Sequence, residues 1–461
     1  MRRLAVVDIK GLLGRFDHHI VIPEDWEFLI LHGPNGVGKT QFLEVISNTF
    51  RFRPSVLAAL PFTTVSFQFS DGLNLTVSKA SAVQLPLDRE ISPSSEDSSP
   101  PLRYILTGLE PDPIVWELAR PRPDALITRR LRDAERYLPV ELVAPDLWVD
   151  QLLGDQLSAS DLLDRYADDL PFDIPGRTDV PALLKTFLEE FHVHLIETQR
   201  LFTFESAPSV SVRPMRRPRQ RLTVQRFADD LTRQIAETLA RNSRTSQELD
   251  RTFPRRILSS APEVTPAITD AQIRRRYESQ SELRRHLADI AVLDSSTEMQ
   301  LPDRPLEAWE RRVLWTYLND SEEKLSTFQR LLDRVQLLRE VVNSRFLFKE
   351  LQIDAERGFR FVTEQDDDLS PDQLSSGEQH ELVLLYDLLF KVEPNSLVLV
   401  DEPEISLHVV WQQEFLNDIK RIATLGDLQF VIATHSPQII HTWWARAFAL
   451  YPGEGGLGPD A

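Results

Sequence analysis

The chain has 461 residues, a formal charge of −19 and no cysteine. That length gives material for about three domain-sized units, and the missing cysteine excludes disulfides, thiol catalysis and cysteine–zinc sites, which suits a reducing cytoplasm. The negative balance argues against a bulk electrostatic grip on nucleic acid and leaves at most a weak, local DNA contact, while no stretch nears the roughly 18 consecutive apolar residues of a membrane span.

The start, Met1-Arg-Arg-Leu-Ala-Val-Val, resembles a leader only briefly, because Asp8 and Lys10 break the apolar run and a first strand from Leu4 is expected instead. Ile20–Ile22 followed by Phe28–Leu31 reads as a second strand, beyond a turn, leading into the stretch Leu31–Thr40. There Gly33, Gly38, Lys39 and Thr40 fit G-x-x-x-x-G-K-[ST]. The run Trp26–Leu31 precedes it as a buried strand would, and Gln41–Ile46 follows with helical periodicity. Such a loop turns successive backbone N–H groups toward a phosphate chain, and the helix N-terminus adds partial positive charge. Lys39 then reaches the β- and γ-phosphates, and the Thr40 hydroxyl ligates Mg²⁺. The expected ATP-binding residues here are Gly33, Pro34, Asn35, Gly36, Val37, Gly38, Lys39, Thr40 and Gln41.

Thr64–Phe69 and Leu73–Val77 alternate in period two around Ser70-Asp71-Gly72, a hairpin signal. The next hundred residues are acidic. They hold the proline-rich Ile91–Pro101, expected as a surface loop, and short helical pieces such as the one from Ser160. A surface insertion is the first reading, and a partner-docking face the second. Val193–Glu205 reads as a strand with a polar end at Gln199. Arg213–Arg221 packs five arginines into nine residues, and Arg274–Arg276 with Arg284 and Arg285 forms a second cluster. Solvated charge offset by acids, an acidic partner and a phosphate backbone are the readings, in that order. The first cluster has no interleaved aromatic residue to stack on bases.

From about 222 to 345 the pattern is helical. Val224, Phe227, Leu231, Ile235 and Leu239 share one face, and Leu325, Phe328, Leu332, Val335, Leu338 and Val342 share another. Asp320 and Glu323 are placed like a capping box ahead of the second run. Antiparallel packing into a compact helical subdomain is expected. A second hairpin, Leu347–Ile353 with Phe359–Val362, turns near Arg357-Gly358. Then comes Leu374-Ser-Ser-Gly-Glu378, a variant of L-S-G-G-Q opening a helix, where Ser375 and the Gly377 amide suit a γ-phosphate held mainly by another subunit. Ser396–Pro403 is a buried strand ending in two carboxylates. Asp401 is placed to hold Mg²⁺ and Glu402 to act as general base toward water. Phe430–Pro437 ends a further strand with His435, read as the switch histidine that contacts the γ-phosphate.

The ordered set of phosphate loop, Gln199, Leu374–Glu378, Asp401-Glu402 and His435 resembles the ATP-binding-cassette (ABC) ATPases, in the soluble branch of chromosome-maintenance and Rad-fifty-like heads. The likeness covers roughly residues 1–85, 190–210 and 346–442. It implies an α/β fold: an ABC-ATPase head of mixed sheet plus antiparallel subdomain, with a large helical insertion. The expected division is 1–85 head lobe I, 86–190 acidic insertion, 191–215 glutamine-loop strand, 216–345 helical arm and 346–461 head lobe II. By resemblance Gln199 joins Glu402 and His435 in catalysis and joins Thr40 and Asp401 around Mg²⁺. Ser375, Ser376, Gly377 and Glu378 complete the ATP site of a second copy, giving a homodimer or higher homo-oligomer closed by ATP. Two departures stand out: Ser376-Gly377-Glu378 replaces Gly-Gly-Gln, and the loop after Glu402 runs Pro403-Glu-Ile-Ser-Leu-His408, with histidine where transporters have aspartate.

Within that branch, Ile196–Leu201, Leu374–Tyr386, Asp401–His408 and Ser246–Pro254 resemble ATPase subunits of bacterial anti-phage systems of the Septu and PARIS types. The resemblance implies a separate effector, an HNH nuclease or a TOPRIM-like nuclease-toxin, and a phage-derived trigger. No nuclease domain fits after His435, so cleavage is expected from a partner. A DNA-repair clamp is the rival reading. A transporter subunit is disfavoured by the large helical insertion.

Overall fold

The computed structural model describes residues 2–79, 102–108, 112–118, 125–136, 138–151, 155–166, 169–171, 180–196, 202–203, 221–259, 268–290 and 301–450. Ile91–Pro101, Gln199, Arg213–Gln220 and Pro452–Ala461 lie outside the described residues. The chain forms two compact units, Met1–Thr198 with Val392–Ala461, and Gln199–Lys391.

The first unit is built on a parallel sheet of five strands, in the order Val193–Ile196, Leu397–Asp401, Gln429–Thr434, Phe28–His32, Ala447–Ala449. Every neighbouring pair is parallel. Leu397–Asp401 and Gln429–Thr434 are buried at every position. That is why they read as continuous apolar runs and not as alternations: helices and a second sheet cover both faces. Because the sheet is parallel, Phe28–His32, Gln429–Thr434 and Leu397–Asp401 all end along one edge. The last strand, Ala447–Ala449, was not anticipated, since three residues carry no readable period.

The second sheet has six antiparallel strands, in the order Phe16–Val21, Leu4–Leu12, Thr64–Phe69, Asn74–Lys79, Leu102–Thr107, Ile114–Leu118. Its strands alternate, as in the strict buried–exposed pattern of Phe16–Val21, because one face meets the core. The helix Lys39–Phe50 shares that core with both sheets through Phe42, Leu43, Ile46 and Phe50. Phe50 meets Phe67 and Phe191 edge-on at 4.8 and 4.7 Å, a geometry that favours aromatic pairs. Residues 125–166 carry a small core of their own around Trp148. Beneath it the fully buried Asp150 accepts hydrogen bonds from Arg165 at 2.7 Å and Tyr166 at 2.8 Å. The fold class is therefore α/β, as expected.

The second unit is organised by three helices, Thr223–Ser259, Asp270–Asp289 and Ala308–Arg345. The first and third run antiparallel: Asn242 Nδ2 donates to Lys324 O at 2.8 Å, Lys324 pairs with Asp250 at 2.7 Å, and Arg256 pairs with Asp320. One expectation fails here. Asp320 and Glu323 do not cap a helix but lie in the middle of one that starts at Ala308, where Glu307 and Glu310 form the capping box. Acids three apart suit a helix start or a helix interior equally, and the Arg256 guanidinium makes the interior tolerable for a carboxylate only 5% exposed. In the second arginine cluster Arg276 pairs with Glu322 and lies 4.4 Å from the Trp315 ring, consistent with charge offset by acids.

The later hairpin pairs Lys349–Asp354 with Gly358–Thr363. Gly358 has φ 78°, and a Cβ there would stand 2.0 Å from the Ala228 carbonyl oxygen, so only glycine lets the hairpin meet the first helix.

Candidate functional site

The site grows from the edge where the parallel strands end. Phe28–His32 runs into the glycine loop, and Gly36 and Gly38 take φ values of 85° and 94° that other residues avoid. Gly38 caps the helix Lys39–Phe50 without a side-chain bond, so the first amides of that helix stay available to a ligand. Gly33 packs against the edge strand: a Cβ there would lie 2.6 Å from the Leu450 carbonyl oxygen. Pro34, Asn35 and Gly36 are exposed, while Val37 and Lys39 are buried. Lys39 Nζ donates to the carbonyls of Gly33 at 2.9 Å and Pro34 at 3.3 Å, which folds the side chain back across its own loop. Thr40 and Gln41 are half-buried at the start of the helix.

One strand over but one, Thr40 Oγ1 donates to Asp401 Oδ2 at 2.9 Å, joining residues 361 apart in sequence. Asp401 Oδ1 is buried and meets no donor among the described residues. Burial pushes the Asp401 carboxyl above its usual range. The Thr40 hydroxyl opposes that shift, and the charge of Glu402 adds to it. A hydroxyl and a half-satisfied carboxylate form the donor set that a hard divalent cation takes when phosphates and water complete its shell. The structure thus brings together Thr40 and Asp401, the two residues read from the sequence as Mg²⁺ ligands.

Glu402 follows at φ 44° and ψ 57°, a left-handed backbone that is unfavourable for a side-chain-bearing residue. Its N–H donates to Ala433 O at 2.9 Å, which fastens it to the neighbouring strand. His435 leaves the end of that strand, with Nδ1 3.6 Å from Glu402 Oε1 and 3.1 Å from Glu404 Oε1. Sequence reasoning did not single out Glu404. Its carboxylate is buried, and Oε1 accepts from Thr434 Oγ1 at 2.7 Å, His435 N at 2.8 Å and Ser436 N at 3.1 Å. The signal was present as a third acid in Asp-Glu-Pro-Glu, but nothing local shows that it turns inward. His32, at the mouth of the loop, was also missed. It meets Trp444 edge-on at 5.4 Å, and burial, with the nearby Lys39 charge, lowers its pKa.

The structure thus gathers Lys39, Thr40, Asp401, Glu402 and His435 in one unit. Gln199 lies outside the described residues.

The signature turn belongs to the other unit. Ser375 caps the helix Ser376–Tyr386 in a complete capping box: Ser375 N and Oγ donate to Glu378 Oε2 at 2.9 and 2.8 Å, and Glu378 N returns a bond to Ser375 Oγ at 3.4 Å. Lys349 Nζ reaches both Glu378 oxygens at 2.7 Å. Burial raises the Glu378 carboxyl, but Lys349 and the Ser375 bonds outweigh that and hold it below its usual range. Leu374–Glu378 therefore also reads as S-x-x-E, a helix-start signal as strong as the signature variant. Ser376 is exposed, and around Gly377 a Cβ would meet nothing within 4 Å. The same helix is tied down by Glu381 to Arg345 and by the Tyr386 hydroxyl to Asp230 at 2.8 Å, with Lys391 on Asp230 at 2.7 Å.

Comparison with known proteins gives three kinds of likeness. Residues 165–441, more than half of the chain, match the family described as "AAA domain, putative AbiEii toxin, Type IV TA system". The "Retron Ec83 probable ATPase" of Escherichia coli is 39% identical over 85 residues, which is 16% of this chain and 15% of that protein. The chain thus matches well under two thirds of that relative. Among solved structures, the Smc head domain with an extended coiled coil from Pyrococcus furiosus, bound to the C-terminal domain of ScpA, aligns over 99% of this chain and 96% of its own, with TM-score 0.37 and 13% identity. The SMC head domain from Thermotoga maritima aligns over 100% of both chains, with TM-score 0.34 and 10% identity.

Proposed function

This chain belongs to that AAA-domain family, and on that premise we propose that it is an ATPase whose reaction runs at the ends of the three adjacent parallel strands. The observation that carries the proposal is the convergence of Lys39, Thr40, Asp401, Glu402 and His435 on that edge, closed by the hydrogen bond from Thr40 to Asp401. In open parallel sheets the crevice beyond the carboxyl ends of the strands is where a ligand binds.

Thr40 and Asp401 would hold a Mg²⁺ ion, which would supply charge neutralisation to a bound triphosphate. The loop amides and Lys39 bind the triphosphate, with Lys39 exchanging the Gly33 and Pro34 carbonyls for phosphate oxygens. Glu402 takes the proton of the attacking water as general base, and His435 contacts the transferred phosphoryl group. Gln199 is assigned to orient that water, on the resemblance alone.

The finer reading is that two copies sandwich ATP, with Ser375–Glu378 of each completing the site of the other in two-fold symmetry. Hydrolysis then opens the assembly, so nucleotide state acts as a switch. The likeness to a retron probable ATPase and the Septu- and PARIS-like segments support a sensor and scaffold in anti-phage defence, with a separate nuclease or toxin effector and a phage-derived trigger.

Two measurements test these levels separately. Purified chain is expected to release phosphate from ATP in a Mg²⁺-dependent way, and Glu402→Gln to lose at least about 100-fold in rate while still binding ATP. An undiminished rate in Glu402→Gln would overturn the site. In the native host, ATP-held Glu402→Gln is expected to co-purify with a stoichiometric small nuclease or toxin. Recovery of DNA and recombination proteins with no effector would overturn the defence reading and favour a repair clamp, as would strongly salt-dependent stimulation by DNA.

A further inference from the structure

Thr434, His435 and Ser436 leave the sheet at the end of Gln429–Thr434, where backbone N–H groups lose their ladder partners. One buried oxygen collects them. Glu404 Oε1 accepts from Thr434 Oγ1, His435 N and Ser436 N at 2.7, 2.8 and 3.1 Å, and stands 3.1 Å from His435 Nδ1. A second brace comes from Gln412, whose Nε2 donates to Glu404 O at 3.3 Å and whose Oε1 accepts from Ser436 Oγ at 2.9 Å. The turn is therefore built around Glu404, which leaves the preceding strand only two residues after Glu402.

From this cluster we infer that Glu404 is the positioning residue for His435, setting both the place of the ring and which ring nitrogen faces the site. An Nδ1 flanked by carboxylate oxygens at 3.1 and 3.6 Å carries the proton, because a bare lone pair there would face two negative groups. Nε2, which no described residue binds, is then the nitrogen presented outward from a side chain that is 45% exposed. The charge has a second role. Thr434, His435 N and Ser436 N need only an acceptor oxygen, which an amide supplies, whereas the hold on Nδ1–H draws on the carboxylate's charge as well. Glu404→Gln therefore keeps the turn and weakens the hold on the ring.

This inference rests on the ATPase reading above, and the experiment separates the two. Steady-state ATP hydrolysis is measured for the full chain, for Glu404→Gln, for His435→Ala and for the pair, with thermal melting as a check on folding. Glu404→Gln sets an amide NH2 where Oε2 is buried without a partner, so it is expected to stay folded with a modestly lowered melting temperature and to lose about 10- to 100-fold in kcat, with KM for ATP changed less than about threefold, as loss of positioning does. In the His435→Ala background the same substitution is expected to cost nothing further, because its effect runs through the ring. Equal losses in both backgrounds, or an undiminished kcat, would overturn the assignment while leaving the ATPase reading intact. A parent chain that hydrolyses no ATP would overturn the ATPase reading, and this one with it.

Discussion

The strand-end site and the signature turn are both polar constellations at the start of a helix, yet they are finished to different degrees. In the signature turn three groups satisfy one another: the Ser375 hydroxyl, the Glu378 carboxylate and Lys349. At the strand ends the groups are half-used. Asp401 Oδ1 and Glu404 Oε2 are buried without a donor, and Lys39 rests on carbonyls of its own loop. Buried polar atoms are normally satisfied, so unfilled capacity marks where a ligand is expected and filled capacity marks where stability resides. The strand ends thus keep donors and acceptors unfilled, while the signature turn fixes Ser375 and Glu378 on each other and leaves Ser376 exposed.

The largest expected effect would break the fixed region. Glu381→Ala removes the carboxylate that pairs with the buried Arg345 on this helix, both side chains being under a tenth exposed, and is expected to cost up to about 3–5 kcal/mol in denaturant unfolding. A loss below about 1 kcal/mol would show that the signature helix does not depend on that pair. Asp401→Asn sharpens the contrast from the other side. Burial already disfavours that carboxylate, so the full chain is expected to be no less stable, or slightly more so, while Mg²⁺-dependent nucleotide binding is lost. A large drop in stability would make Asp401 a structural residue.

The smallest effect is set by pH. Burial raises the Asp230 carboxyl, but Lys391, Tyr386 and Gln234 outweigh it and hold its pKa at about 2, below the ordinary 3.8. A depressed folded pKa gives stability that is present above the unfolded value and lost as pH falls through the folded one. Asp230→Asn is therefore expected to destabilise the chain at neutral pH and to converge with the parent between about pH 4 and pH 2. Parallel pH profiles for the two chains would refute the linkage.

How much of this was legible in the sequence follows the same division. Lys39, Thr40, Asp401, Glu402 and His435 could be read because each follows a short apolar strand, and parallel strands bring their ends to one edge by topology alone. Glu404 and Gln412 could not, because their roles depend on which way a buried side chain turns, in the short turn Pro403–Ser406 and in the helix Val409–Gly426, and no periodicity records that. Asp320 was misread for a related reason. An acid three residues from another looks like a cap until the distant Arg256 is known to meet it. The edge strand Ala447–Ala449 was too short for any pattern, yet it delivers the next residue, Leu450, whose carbonyl is the wall against which Gly33 packs.

Glu402 carries a consequence of another kind. Its left-handed backbone, at φ 44°, is one that glycine would occupy without strain, and for any other residue it costs on the order of 1–2 kcal/mol. A selection in the laboratory for thermal tolerance alone is therefore expected to drift toward glycine at this position, and to yield a hardier protein without the carboxylate proposed as its base.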